Sequence, residues 1–216
     1  MPDILDKGLN AVMRILKVES PTTSGILYRL ASRGISCLCR MKMNKSKLSN
    51  KIRVVSNPKK VESCPEKRLG FYTNYAVAVS ETLRKPLFQK FLDWIVKREK
   101  IETAAVKDIQ VRVFPFQNEN GKFLAGRCNN EGVIRIFPKR QMFLKKKLQD
   151  HKKEKVRFYL KSRAMAALIH EILHVKYEGD ESKVRQLTRK YFGIFIRHQN
   201  ANTQHVHSIQ KMVFTC

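Results

Sequence analysis

The stretch from His170 to His174 reads His-Glu-Ile-Leu-His and constrains the fold more than any other feature of this chain. Residues four apart lie on one face of a helix, so His170 and His174 can present two imidazoles to one metal ion. Glu171 follows directly and can reach a water on that metal, as catalytic zinc sites require. The neighbouring apolar residues predict a largely buried helix: Met165, Leu168, Ile169, Ile172, Leu173 and Val175.

Three carboxylates after the motif compete for the position of third metal ligand: Glu178, Asp180 and Glu181. Glu178 lies about 12 Å along a regular helix from His170, which is too far for a metal held between the two histidines. Gly179 favours a helix end at this point, because glycine is the usual residue just past a helix terminus. Asp180 would then cap a second helix whose first turn carries Glu181. If that helix folds back on the first, Glu181 reaches the metal, while Asp180 remains a competitor.

The motif, the glycine turn and a following helix that begins Asp-Glu-Ser-Lys-Val resemble the zincin metallopeptidases. Within that group the sequence looks most like the minimal gluzincins and ImmA-like proteases, and the similarity covers about residues 162–195. The resemblance implies zinc ligands at His170, His174 and Glu181, with Glu171 as the general base. The function that it predicts is zinc-dependent hydrolysis of a peptide or protein substrate.

One departure from a related family and one further relative qualify this resemblance. In metzincins the third ligand stands where Asp180 stands here, but those proteins have a glycine at the position of Tyr177, which favours Glu181. Tyr177 and Arg185 are candidates to stabilise the oxyanion of the reaction. SprT-like proteases, which act on DNA–protein crosslinks, also carry this motif in small basic chains.

The composition adds nucleic acid to the candidate partners. The chain has 44 Lys and Arg against 18 Asp and Glu, and its net charge of +26 creates a positive field that attracts polyanions. A protein with a structural metal that binds nucleic acid without catalysis is therefore an alternative to a peptidase. The charge also has a simpler explanation, which is that it only aids solubility.

The cysteines and the apolar runs predict a cytoplasmic protein with no membrane partner. The chain has five cysteines, an odd number without the spacing of a disulfide framework, which fits free thiols in a reducing compartment. No run approaches the roughly 18 apolar residues of a membrane span. Asp3 and Asp6 lie among the first six residues, unlike the basic start of a secretory signal. The oligomeric state is left open.

We expect three segments: a basic N-terminal extension at 1–68, a zincin-like metallopeptidase domain at 69–200 and a tail at 201–216. Apolar spacing predicts short helices at 3–18 and 25–32 in the extension. Residues 41–68 are rich in lysine and carry two prolines, which is typical of a flexible linker. The methionines at positions 41 and 43 are alternative starts, so it stays open whether residues 1–40 belong to the native protein.

The predicted fold class of the domain is α+β, with a helix, a small antiparallel three-stranded sheet, the motif helix and a second ligand-bearing helix. The first helix spans 75–97, and Pro86 kinks or divides it. Runs of alternating apolar residues at 108–117, 123–128 and 133–137, joined by Asn and Gly turns, predict an antiparallel meander. The strand at 133–137 is our candidate for a sheet edge that binds a peptide; the alternative is that it only packs on the helices.

Residues 139–163 form a second basic segment, with eleven Lys and Arg against Asp150 and Glu154. Such a helical segment could bind phosphates or acidic peptides, or it could be a solvated helix face. The histidines near the C-terminus are predicted to be surface residues: His198, His205 and His207.

Overall fold

Four strands and six α-helices form an α+β fold in the part of the chain that this computed structural model describes, residues 47–150, 153–199, 211, 213 and 214. The predicted fold class is therefore confirmed at the level of α+β. The strands are β1 (Ile52–Val55), β2 (Asp108–Arg112), β3 (Gly126–Cys128) and β4 (Val133–Ile136). The helices are α1 (Pro58–Glu62), α2 (Glu66–Leu83), α3 (Pro86–Arg98), α4 (Gln141–Asp150), α5 (Lys153–His174) and α6 (Glu181–Gln199).

The sheet is mixed, with the strand order β1-β2-β4-β3. β1 is parallel to β2 and β2 is parallel to β4, whereas only β3 runs antiparallel to its neighbour. The prediction of three antiparallel strands was therefore wrong. The turn at 118–122 does close locally, since Asn118 N–H donates to the carbonyl of Lys122 at 2.9 Å. This hairpin lies outside the sheet, however. Within the sheet β2 and β3 do not pair, because β4, which follows β3 in the sequence, lies between them.

The first strand lies in the stretch that we interpreted as a linker. Ile52 pairs with Ile109 and is 1% exposed, and Leu48 is completely buried. The stretch from Leu48 to Val55 is therefore part of the same sheet and core as the residues after 69, and not a linker. The run Ile-Arg-Val-Val is short, with three β-branched residues, and the lysines on both sides of it are typical of a linker. The strand was therefore not predicted. The helices predicted at 3–18 and 25–32 lie outside the described residues.

The sheet ends at β1 on one side and at β3 on the other, because β2 and β4 each pair with a neighbour on both sides. We refer to the outer side of β3 as the free edge. The prediction that 133–137 forms an edge was therefore wrong. Helix α5 packs across β3 and β4, and α2 packs across β1 and β2. The motif helix consequently lies beneath the free edge, which puts the motif and the edge strand side by side.

Pro86 divides the predicted long helix into α2 and α3. Lys85 is extended, with φ −56° and ψ 131°, and Pro86 then starts the first turn of α3, where its missing N–H costs nothing. The side-chain amide of Gln89 donates to the carbonyl of Leu83 at 2.5 Å and so satisfies the end of α2. None of the helices in the described ranges has the length and apolar character that crossing a membrane requires.

One buried cation ties α5 to the sheet. Arg163 is 6% exposed, and its guanidinium donates to the carbonyls of Phe137 at 2.8 Å and Leu124 at 3.1 Å. Both carbonyls belong to the chain that borders β4 and β3. Since a buried charge is tolerated only when its donors are satisfied, these bonds fix the depth at which α5 sits under the edge strand.

The described residues of the basic segment at 139–163 are helical from Gln141 onward, as predicted, and form α4 and the first half of α5. His198 is exposed, in agreement with the prediction of a surface residue, while His205 and His207 lie outside the described residues.

The position of β1 in the sheet makes a testable prediction about stability. Replacing Ile52 by alanine leaves a cavity in the core and should lower the free energy of unfolding by about 2–4 kcal/mol. The matched control is Val54→Ala on the same strand, where the side chain is 38% exposed and the loss should stay below about 1 kcal/mol. Urea denaturation followed by circular dichroism measures both values. Equal, small losses would contradict a domain that includes β1.

Candidate metal centre

A glycine turn folds α6 back on α5. Gly179 has φ +83°, a conformation that glycine adopts without the steric cost that other residues incur. Asp180 then caps α6, since its Oδ1 accepts the backbone N–H of Lys183 at 2.9 Å. The predicted cap is confirmed, whereas α5 already ends at His174, five residues before the glycine that we expected just past its terminus. As a result Glu181, in the first turn of α6, faces the last turns of α5.

Three side-chain donor atoms converge where the two helices meet. The Nε2 atoms of His170 and His174 lie 3.1 Å apart. Oε2 of Glu181 lies 3.1 Å from Nε2 of His174 and 3.7 Å from Nε2 of His170. Ligand atoms around a tetrahedral zinc are roughly 3.3 Å apart, given bond lengths of about 2.0–2.1 Å. The two imidazoles and the carboxylate therefore fit a zinc ion in both chemistry and spacing.

The other two carboxylates that competed for this position lie elsewhere. Asp180 is occupied as the cap of α6. Glu178 is exposed on the wall of the adjoining cleft and does not belong to the donor group. Within the described residues, the side chains that together could hold a metal ion are His170, His174 and Glu181. Glu181 is thus the carboxylate that the structure brings to the histidines.

Thr188 orients the ring of His170. Its hydroxyl donates to the carbonyl of Val184 at 2.7 Å, so a lone pair remains for Nδ1 of His170 at 3.3 Å. This arrangement keeps the imidazole proton on Nδ1 and leaves Nε2 free to bind a metal. Thr188 is 1% exposed and one helix away, and no local signal in the sequence identified it.

The ionisation of the donors favours a cation. Burial, followed by the nearby charge of His174, lowers the pKa of His170 to about 4, so this imidazole is neutral at pH 7. Burial acts to raise the pKa of Glu181, but a hydrogen bond from Arg185 and the charges around it outweigh that effect and leave it below its usual value. The centre therefore presents neutral nitrogen and ionised oxygen.

Glu171 is held between α5 and the free edge of the sheet. It is 5% exposed, and burial raises its pKa to about 7 although its carboxylate has a backbone hydrogen bond to Cys128. Gly126 makes this fit possible, because a Cβ at that position would lie 2.7 Å from Cγ and Oε1 of Glu171. No local pattern around Gly126 predicted this contact.

The backbone of β3 has hydrogen-bonding groups to spare at its outer side. Phe137 N–H donates to the carbonyl of Ala125, and Asn129 N–H donates to the carbonyl of Val133. Because such bonds alternate along an antiparallel pair, the amide and carbonyl groups of residues 126 and 128 point away from β4. The N–H of Cys128 is bonded to the carboxylate of Glu171. The amide and carbonyl of Gly126 and the carbonyl of Cys128 therefore remain at this edge.

Two clefts meet at the centre. One has a volume of about 610 Å³ and runs along β3 and the loop at 129–132. The other, of about 430 Å³, extends over the first part of α6 and includes Arg185. His170, Glu171 and Glu181 line both clefts. The donor atoms and the buried carboxylate therefore lie in one open groove that an extended chain could enter from either side.

Tyr177, which we considered as a group that stabilises the oxyanion, makes a contact between helices instead. Its hydroxyl donates to Glu99 at 2.6 Å, and the hydroxyl of Tyr191 donates to the same carboxylate. Glu99 follows α3, Tyr177 follows α5 and Tyr191 lies on α6. One carboxylate thus joins three helices. Tyr177 lines neither of the two clefts.

No protein-family model, curated protein or solved structure gave a significant match to this chain. The chemistry of the site therefore has to be argued from its own residues.

The donor group predicts a metal stoichiometry. We expect about one zinc per chain in the wild-type protein and its loss in His174→Ala and in Glu181→Ala, since each removes one of three ligands. Elemental mass spectrometry of the purified proteins measures this. The control is Glu178→Ala, which removes a carboxylate from the same cleft and should keep the zinc. Zinc retained without Glu181 but lost without Glu178 would contradict the assignment, as would a wild-type protein that takes up no zinc.

Proposed function

We propose that this protein is a zinc-dependent metallopeptidase in which His170, His174 and Glu181 hold the metal and Glu171 is the general base. The observation that carries the proposal is the convergence of three donor atoms, a buried carboxylate and a free strand edge in one groove. A mixed sheet followed by the motif helix and a second helix with the third donor supports the resemblance to zincins, and to gluzincins in particular.

The number of donors favours catalysis over a structural metal. Structural zinc sites use four protein ligands, whereas catalytic sites use three and keep one position open. The group found among the described residues has three members and borders two clefts. When bound there, zinc would supply a Lewis acid that lowers the pKa of water and polarises a peptide carbonyl.

Glu171 is placed to move the proton of the attacking water. Its carboxylate lines both clefts beside the donor atoms, and the backbone bond to Cys128 fixes its orientation. As general base it accepts the proton of the water that attacks the scissile carbonyl. It then gives this proton to the nitrogen of the departing amine, which turns an amide into a better leaving group.

β3 is placed to hold the substrate. The amide and carbonyl of Gly126 and the carbonyl of Cys128 can bond to an extended peptide as an added strand, next to Glu171. This replaces the strand at 133–137 that we first considered for this role. Hydrogen bonds to the peptide backbone do not depend on the side chains of the substrate. Any preference for particular substrate residues would therefore come from the two clefts.

Removal of the general base should separate chemistry from metal binding. We expect Glu171→Gln to hydrolyse a quenched fluorescent peptide library about 10²–10⁴-fold more slowly than wild type, which is the usual contribution of general base catalysis. Its zinc content should be unchanged, because Glu171 is not a donor. The matched control, Glu178→Gln, should stay within about threefold of wild type. Equal rates for Glu171→Gln and wild type would overturn the mechanism.

The close approach of Gly126 gives a second test. Alanine at this position forces the Glu171 carboxylate to move, because the new Cβ would overlap it. We expect Gly126→Ala to retain zinc and to lose about 10²-fold in kcat, since small misplacements of catalytic groups have effects of this size. Gly70→Ala is the control, because a Cβ there meets nothing within 4 Å. Full activity in Gly126→Ala would contradict the role of Glu171.

A further inference from the structure

The face of the sheet opposite α2 and α5 carries arginines from all four strands. Side chains alternate along a strand, so the residues between the buried Ile and Val positions share the opposite face. The strand register places Arg53, Gln110, Arg135 and Arg127 side by side in one row across the sheet. Arg112 shares this face, two residues after Gln110. We refer to these five residues as the open face.

Most of the positive charge on the open face has no carboxylate partner. Arg53 is the exception, since its Nε donates to Oδ1 and Oδ2 of Asp108 at 2.9 Å. Among the described residues, Arg112, Arg127 and Arg135 form no ion pair. Arg112 has a single neutral partner, Oε1 of Gln110 at 3.2 Å. Burial and the charge of Arg135 both lower the pKa of Arg112, as expected for like charges held together.

A pocket of about 310 Å³ opens among these arginines. Arg112, Arg127 and Arg135 line it together with Lys60, and none of its ten lining residues is acidic. Its remaining wall is largely aromatic: Phe116 and Phe137 stack with their ring centroids 5.2 Å apart, and Phe114 lies beside them. Cations and the half-buried rings of Phe114 and Phe116 thus share one concave site, although each alone would be common on a basic protein.

We propose that the open face and its pocket bind single-stranded nucleic acid. The planar guanidinium groups of Arg112, Arg127 and Arg135 match the oxygens of backbone phosphates, and Lys60 adds a further cation. Phe114 and Phe116 offer surface on which an unstacked base can lie, which a duplex does not present. An acidic peptide would satisfy the charges but would leave the aromatic wall without a partner. The site is separate from the basic helical segment at 139–163, and it does not depend on the proposed peptidase activity.

The test measures binding of the full-length protein to a fluorescent oligothymidine of about 20 nucleotides by anisotropy at several salt concentrations. The variant Lys60→Gln/Arg112→Gln/Arg135→Gln removes three charges from the pocket. A control with the same loss of charge carries Lys146→Gln/Lys155→Gln/Lys190→Gln, three exposed lysines on α4, α5 and α6. Arg127 is left intact because it also lines the larger cleft at the metal centre.

We expect the pocket variant to bind at least about tenfold more weakly, with a log–log salt slope smaller by roughly 2, because three phosphate contacts are lost. The helix control should lose less than about threefold. Unchanged circular dichroism and zinc content verify that both variants fold. An equal loss in the two variants would place the binding in diffuse charge or in the helical segment and would overturn the proposal.

A second arm distinguishes nucleic acid from polyanions in general. Replacing Phe116 by leucine keeps apolar volume in the pocket but removes its stacking surface. We expect about fivefold weaker binding of the oligonucleotide, in line with the contribution of one stacked base, and no change for inorganic polyphosphate. Equal effects on both ligands, or duplex DNA bound as tightly as the single strand, would overturn the assignment to single-stranded nucleic acid.

Discussion

The return of α6 onto α5 is the constraint on which the candidate site depends. Two of the three donor atoms come from α5 and one comes from α6, so a small change in the angle between these helices would separate them. Gly179 allows the turn, and Asp180 starts the new helix in a fixed direction. Glu99 then joins the ends of both helices through Tyr177 and Tyr191. The donor spacing is thus maintained by contacts made outside the motif.

The donor residues could be predicted from the sequence because their relations are local. Helical periodicity brings His170 and His174 to one face, and a glycine followed by an acidic cap marks where the next helix begins. The residues that adjust these groups could not be found in this way. Gly126 and Thr188 are adjacent to Glu171 and His170 only because the sheet and α6 pack against α5, and neither has a distinctive neighbourhood in the sequence.

The order of the strands could not be predicted from the sequence for a related physical reason. Alternation of apolar residues identifies a strand, but it does not specify the partner or the direction of pairing. The short turn at 118–122 suggested that the strands before and after it pair with each other. In the sheet, however, β4 lies between β2 and β3. β1 was missed because its four residues gain their stability from a parallel neighbour more than fifty residues away, and the lysines around them are typical of a linker.

Arg127 connects the two surfaces of the protein. It belongs to a strand of three residues, Gly126–Cys128, whose first and last members face α5 while the middle one faces outward. Its side chain borders both the larger cleft at the metal centre and the arginine pocket. Substitutions in this strand must therefore be compatible with both the metal-centre cleft and the arginine pocket. A residue that is compatible with one surface can still disrupt the other. We therefore expect β3 to tolerate fewer amino-acid substitutions than its exposure and its length would suggest.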